Sequence, residues 1–126
     1  MESKTEKLDS LDTKEVQKGQ DFAYGKSPSL ERFRKSTIKI EETINLAITN
    51  NSDVILIIPP ALFGKWPEHD KVVDFAKKMT KNKRVEFYDY SESILKPEYY
   101  YDHHHLNTKG IIFFTDNYLK PIISGK

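Results

Sequence analysis

Apolar residues are spread unevenly along the chain. Residues 1–20 hold only Met1, Leu8, Leu11 and Val16 among many charges. That is too little apolar surface to offset the entropy of ordering, so residues 1–28 are expected to form a disordered or loosely packed extension. Within it, Phe22 to Pro28 reads as a loop that docks its aromatics. The fold is assigned to residues 29–126. Leu30, Phe33, Thr37, Ile40, Ile44 and Ala47 recur at steps of three and four, the spacing of one helix face. Ser29, or Ser27 with Pro28 at the first helical position, is a suitable N-cap, and Asn50-Asn51 closes the helix.

Val54 to Ile58 is an unbroken run of β-branched residues and Leu, stopped by Pro59-Pro60. Such a run predicts a strand covered on both faces, usually in a parallel sheet. A second helix is expected from Pro67 to about Lys81 with Val72, Val73, Ala76 and Met79 inward. Val85 to Tyr88 reads as a second strand, and Ser91 to Leu95 as a short helical turn. Lys96 to His105 is expected as a loop, followed by a helix from Asn107 to Leu119 burying Ile111, Phe114 and Tyr118. No internal repeat or low-complexity tract interrupts this order. Helix–strand–helix–strand–helix is an α/β pattern with parallel strands and right-handed crossovers. Two strands make a poor parallel sheet, however. A strand as apolar as Val54–Ile58 would be left with a bare edge, which is an aggregation hazard. The pattern therefore predicts that further strands come from another chain, from self-association or from a longer parent protein.

Composition narrows the chemistry. The 126 residues carry 20 Lys+Arg and 19 Asp+Glu, a net charge of +1, which provides no electrostatic footprint for nucleic acid or an anionic membrane. Lys77-Lys78, Lys81 and Lys83-Arg84 then read as solvated charges complementing a helix end. There is no Cys, so a disulfide scaffold, a Cys-ligated zinc site and a thiol nucleophile are excluded. The longest apolar runs fall far short of the roughly 20 residues a membrane helix requires. MESKTEKLDS lacks an apolar h-region, so no signal peptide is expected there and the compartment stays unassigned.

The densest polar cluster is Asp102-His103-His104-His105-Leu106-Asn107, after the second strand and at the start of the last helix. Ligands of open α/β sheets bind outside the carboxyl ends of strands. An Asp three residues before a His in a turn can fold back and accept the imidazole N–H. That contact fixes the tautomer and supports the imidazolium formed when the ring takes a proton from a hydroxyl nucleophile. Asn107 can cap the helix, and Gly110 permits close packing in its first turn.

The segment Tyr99-Tyr100-Tyr101-Asp102-His103-His104-His105-Leu106-Asn107-Thr108-Lys109-Gly110 resembles the last block of the SGNH (GDSL-type) hydrolase family, Asp-x-x-His-Leu-Asn-x-x-Gly, with its amphipathic C-terminal helix. Val54–Ile58 with Pro59-Pro60 is similar to the family strand preceding a substrate-side loop, and Val85 to Asp89 to the strand leading into the block. The resemblance spans about residues 37–122. It implies the C-terminal half of a flavodoxin-like three-layer α/β/α fold and an ester hydrolysis or O-acyl transfer activity. His105 would be the general base and Asp102 its orienting partner, with no cofactor or metal. The implied substrate is an acyl ester or an acylated carbohydrate. The finer likeness is to DltD-like and related extracytoplasmic branches acting on acyl groups of cell-surface polymers. No Gly-Asp-Ser nucleophile block is found, nor the oxyanion-hole Gly and Asn blocks. Ser91 and Ser93 lack a strand-to-helix elbow. The chain alone is expected to be nearly inactive.

Other features carry simpler expectations. Trp66, after Pro59 to Gly64, either lines an acyl or sugar pocket or covers the sheet end. Glu68 and His69 read as a solvated first helical turn. Tyr99 to Tyr101 is expected to pack the loop on the body. Three consecutive His in an extended loop point in different directions, so His103 to His105 are not expected to share one metal ion. The alternative to an enzyme half is a non-catalytic module that closes its sheet edge by self-association or by strand addition to a partner.

Overall fold

The computed structural model describes residues 13–15, 17–18 and 30–125. Residues 13–15 and 17–18 are helical, with Lys18 Nζ 3.3 Å from Glu15 Oε1. The rest of the 1–28 extension, its Phe22–Pro28 loop and the Ser27 and Ser29 cap positions lie outside the described residues. The remainder is mixed α/β with a two-stranded parallel sheet. No helix among the described residues is long and apolar enough to cross a membrane. The chain divides into two compact units.

The unit formed by residues 30–59 and 66–90 holds the sheet. Helix α1 spans Leu30–Thr49, strand β1 Val54–Ile58, helix α2 His69–Met79 and strand β2 Val85–Asp89. α1 stops where the amide of Ser52 reaches back to the Ala47 carbonyl at 2.9 Å and Asn51 turns left-handed at φ 64°. This is a Schellman closure in which Asn takes the place usually held by Gly. Ile44 is buried on α1, but Ile40, expected on the inward face, is exposed. It lines an open apolar groove with Ile44, Ala47, Val54 and Leu56.

β1 and β2 pair in parallel, Val54 with Val85 through Ile58 with Asp89, and α2 is the crossover between them. The Val54 amide donates to the Arg84 carbonyl at 2.8 Å, and the Ile58 carbonyl accepts from Tyr90 N–H at 2.9 Å. A strand alternates the direction of its backbone groups, so Val54, Leu56 and Ile58 bond toward β2 while Ile55 and Ile57 point the other way. No strand among the described residues pairs with that outer edge. The Arg84 guanidinium ties the strand starts together, reaching Asp53 Oδ1 at 3.0 Å and the Asn51 carbonyl at 2.6 Å.

The second unit comprises residues 60–65 and 91–125, with the described N-terminal residues. It contains a 3₁₀ turn at Pro97–Tyr99, helix α3 at Thr108–Phe114, a π-helical stretch at Thr115–Leu119 and helix α4 at Lys120–Ser124. The expected turn at 91–95 is non-helical, and the helical turn falls at Pro97 instead. The last helix runs on past Leu119. Pro121 has no N–H, and its ring would clash with the carbonyl four residues back in a regular α-helix. The widened π turn, in which Lys120 N–H reaches the Thr115 carbonyl, sits directly before it. Gly110, Phe114 and Ile122 form the buried face, whereas Ile111 is 54% exposed rather than buried. Gly110 fixes the rotation: a Cβ there would lie 2.2 Å from the Tyr99 carbonyl oxygen. Only a bare Cα fits against that backbone, and Ile111, one position on, turns outward.

Candidate functional site

The Asp102–His105 segment is a tight turn, not an extended loop. Tyr100 and Leu106 form an antiparallel bridge at its base, and the Tyr101 amide donates to the His105 carbonyl at 2.8 Å. Tyr100 is 0% exposed, its hydroxyl donates to the Ile94 carbonyl, and burial pushes its phenol above the usual range. At the tip, one oxygen of Asp102 accepts the amides of His104 (2.9 Å) and His105 (2.8 Å). This side-chain acceptor curls the backbone in the way Asp residues favour in turns.

The same carboxylate holds His105. Nδ1 lies 3.1 Å from Oδ1 and 3.0 Å from Oδ2. The contact requires Nδ1 to carry the proton toward the carboxylate, which leaves Nε2 as the basic nitrogen. The side chains are 61% (His105) and 45% (Asp102) exposed, so the imidazole stands largely open to solvent. Partial burial pushes the Asp102 carboxyl upward. The His104 amide, the His105 ring and the His105 amide outweigh it and hold the group below the ordinary carboxylate range.

Behind the turn, Asn107 acts as a clamp. It is 1% exposed. Its Oδ1 accepts from Gly110 N–H at 2.9 Å, capping α3, and its Nδ2 donates to the Glu98 carbonyl at 2.7 Å. Its own amide donates to the Tyr99 carbonyl at 2.9 Å. The segment after β1 also supports the turn, with Leu62 N–H on the His103 carbonyl at 2.9 Å and Ala61 N–H on that of Ser91 at 3.1 Å. Each position of the Asp-x-x-His-Leu-Asn-x-x-Gly pattern therefore has a separate physical task. Asp102 builds the turn and orients the ring, Leu106 closes the bridge, Asn107 caps and clamps, and Gly110 admits a carbonyl. Ser91 is a buried backbone partner of this loop and presents no exposed hydroxyl.

No family model matches the chain, and no curated protein or solved structure matches it.

One residue departs from expectation. His69 is not in a solvated turn: it is 7% exposed, with Nε2 2.9 Å from Asp89 Oδ2, and joins the start of α2 to the end of β2. Trp66 belongs to this sheet-bearing unit, its ring edge-on to His69 at 6.0 Å between centroids. The signal for His69 was present in the sequence. Positions 69, 72, 73 and 76 share one helical face, so His69 begins the inward stripe. Its partner Asp89 is remote in sequence and has no local signature.

The three His side chains are also drawn together. Ring centroids of His103 and His104 are 4.1 Å apart and those of His104 and His105 3.8 Å. His104 Nδ1 lies 2.7 Å from His103 Nε2 and 3.7 Å from Asp102 Oδ1. Burial, then the adjacent His103, push the His104 imidazole below its usual range, against the opposing charge of Asp102.

Proposed function

We propose that this chain supplies the general base and its orienting carboxylate to an ester-hydrolysing or acyl-transferring domain of the SGNH hydrolase type. In this reading the nucleophilic Ser and the oxyanion donors come from a further segment. The observation that carries it is the two-oxygen contact of Asp102 with His105 Nδ1 at 3.0 and 3.1 Å, on a turn that leaves the His105 side chain largely exposed.

The chemistry follows from that arrangement. Nε2 accepts the proton of a Ser hydroxyl as its oxygen attacks an acyl carbonyl. The imidazolium so formed is stabilised by Asp102, which stays ionised. Nε2 then returns the proton to the departing alkoxide, leaving an acyl-enzyme. Water or a sugar hydroxyl next gives its proton to the same nitrogen and takes the acyl group. The parallel β1–β2 pair with its helical crossover is compatible with the C-terminal end of a larger three-layer sheet, the missing strands adding at β1. The substrate class is an acyl ester, including acylated cell-surface carbohydrate.

Without oxyanion donors about 10²–10³ in rate is forfeited, so the chain alone is expected to be nearly inactive. The test is complementation with the polypeptide encoded immediately upstream, followed by hydrolysis of p-nitrophenyl esters of graded chain length. Turnover is expected for the completed protein and a loss of at least ~10³-fold for His105→Ala. Equal turnover with Ala at position 105, or a completed protein that cleaves no acyl ester, would overturn the reading. In the latter case the chain is an interaction module.

A further inference from the structure

The turn that orients His105 also gathers metal-binding donors. Asp102, His104 and His105 each offer a ligand atom, and these atoms lie within 4.8 Å of one another. Asp102 Oδ1 is 3.7 Å from His104 Nδ1, and Oδ2 is 3.0 Å from His105 Nδ1. Bonds of about 2.0–2.1 Å to a tetrahedral ion put its donors about 3.3 Å apart; the two Asp102 spacings fall on either side of that, and the full set, within 4.8 Å, would draw in around an ion. The usual objection to adjacent His as joint ligands is that they diverge. Here the objection fails, because Asp102 curls the backbone and brings the His104 and His105 ring centroids to 3.8 Å, with the planes tilted by 45°.

We propose that Asp102, His104 and His105 form a binding site for one divalent transition-metal ion, with zinc as the simplest occupant. Two imidazole nitrogens and one carboxylate oxygen suit zinc, nickel or copper rather than the all-oxygen preference of magnesium or calcium. Three protein ligands on an exposed turn leave the fourth position to water. Binding has a cost in hydrogen bonds: His105 Nδ1 exchanges its bond to Asp102 for the metal, and His104 Nδ1 gives up its contact with His103. The proton on His105 Nδ1 must leave, moving to Nε2 in the neutral ring. Where the base role proposed above holds, an occupied site therefore has no basic Nε2, and the metal acts as an inhibitor of the dyad.

The site can be read without any ester chemistry. Zinc chloride is titrated calorimetrically into the full chain carrying no polyhistidine tag, with ¹⁵N NMR of the imidazoles. Asp102→Asn keeps an oxygen for the two amides of the turn and removes the charge, and His104→Ala keeps the backbone N–H. Circular dichroism checks that both fold. One zinc per chain is expected, with no competition from magnesium. Each substitution should weaken binding at least ~10-fold, and the ¹⁵N shifts should fall on Nδ1 of His104 and His105. Any other result overturns the proposal. No saturable binding is one such result. Another is an adventitious ion only, shown by undiminished affinity in either variant or by coordination through Nε2.

Discussion

Asn107 and Asp102 do most of their work through backbone groups. Replacing Asn107 with Ala removes the cap of α3 and leaves the Glu98 carbonyl without its partner. A lost cap costs about 1 kcal/mol and an unpaired buried acceptor about 1–3. Urea denaturation is expected to show a total loss of about 2–4 kcal/mol. Asp102 makes stability depend on pH. Its folded-state carboxyl is held below the ordinary range, so its contribution is complete above the unfolded value. That contribution is lost as pH falls through the depressed folded value, which places the window below about pH 4. Asp102→Asn should flatten the acid limb of a stability–pH curve in that window. The effect is small because the group is nearly half exposed to solvent, which screens its charge. An Asp102 carboxyl that titrates by NMR at or above the unfolded value would contradict this account.

The two strands make a register prediction that belongs to the sheet as an element. Ile55 and Ile57 aim their amides away from β2, while those of Val54, Leu56 and Ile58 aim toward it. Hydrogen exchange in the isolated chain should therefore alternate along β1, fast at 55 and 57 and slow at 56 and 58. Completion of the sheet by a further strand should slow 55 and 57 specifically, whereas a change spread evenly over β1 would argue against edge pairing. At the other end of the chain, Pro121 explains the π turn. Pro121→Ala is expected to let a regular α-helix run from 108 to 124, seen as loss of the Lys120-to-Thr115 bond in NMR couplings. Gly110→Ala is the more damaging change. Its Cβ would meet backbone rather than a movable side chain, and about 1–3 kcal/mol of overpacking strain is expected in thermal or urea unfolding.

For the molecule as a whole, a net charge of +1 provides little mutual repulsion. Ile111 and Ile112 are 54% and 58% exposed on α3, so association should be driven by apolar contact and be strengthened by sulfate. Ile111→Lys with Ile112→Glu should reduce concentration-dependent sedimentation while changing stability by less than about 0.5 kcal/mol. A loss of stability much above that would mean these side chains are covered within the fold.

Element type was legible in the sequence because it depends on local periodicity. The 54–58 run and the 85–88 segment became strands, and the three- and four-residue spacings became helices with ends within a few residues. Asp102 and His105 were legible because a three-residue spacing in a polar turn contains its own geometry. What the sequence could not decide depended on contacts remote along the chain. His69 is buried because Asp89 lies opposite it, and Ile111 is exposed because Gly110 must face the Tyr99 carbonyl. The convergence of three His rings likewise needed the folded turn, since a side-chain acceptor bends the backbone where periodicity alone assumes an extended loop. Local patterning fixes which residues are helix, strand or turn; only the packed chain fixes which face is inward and which donors share a point in space.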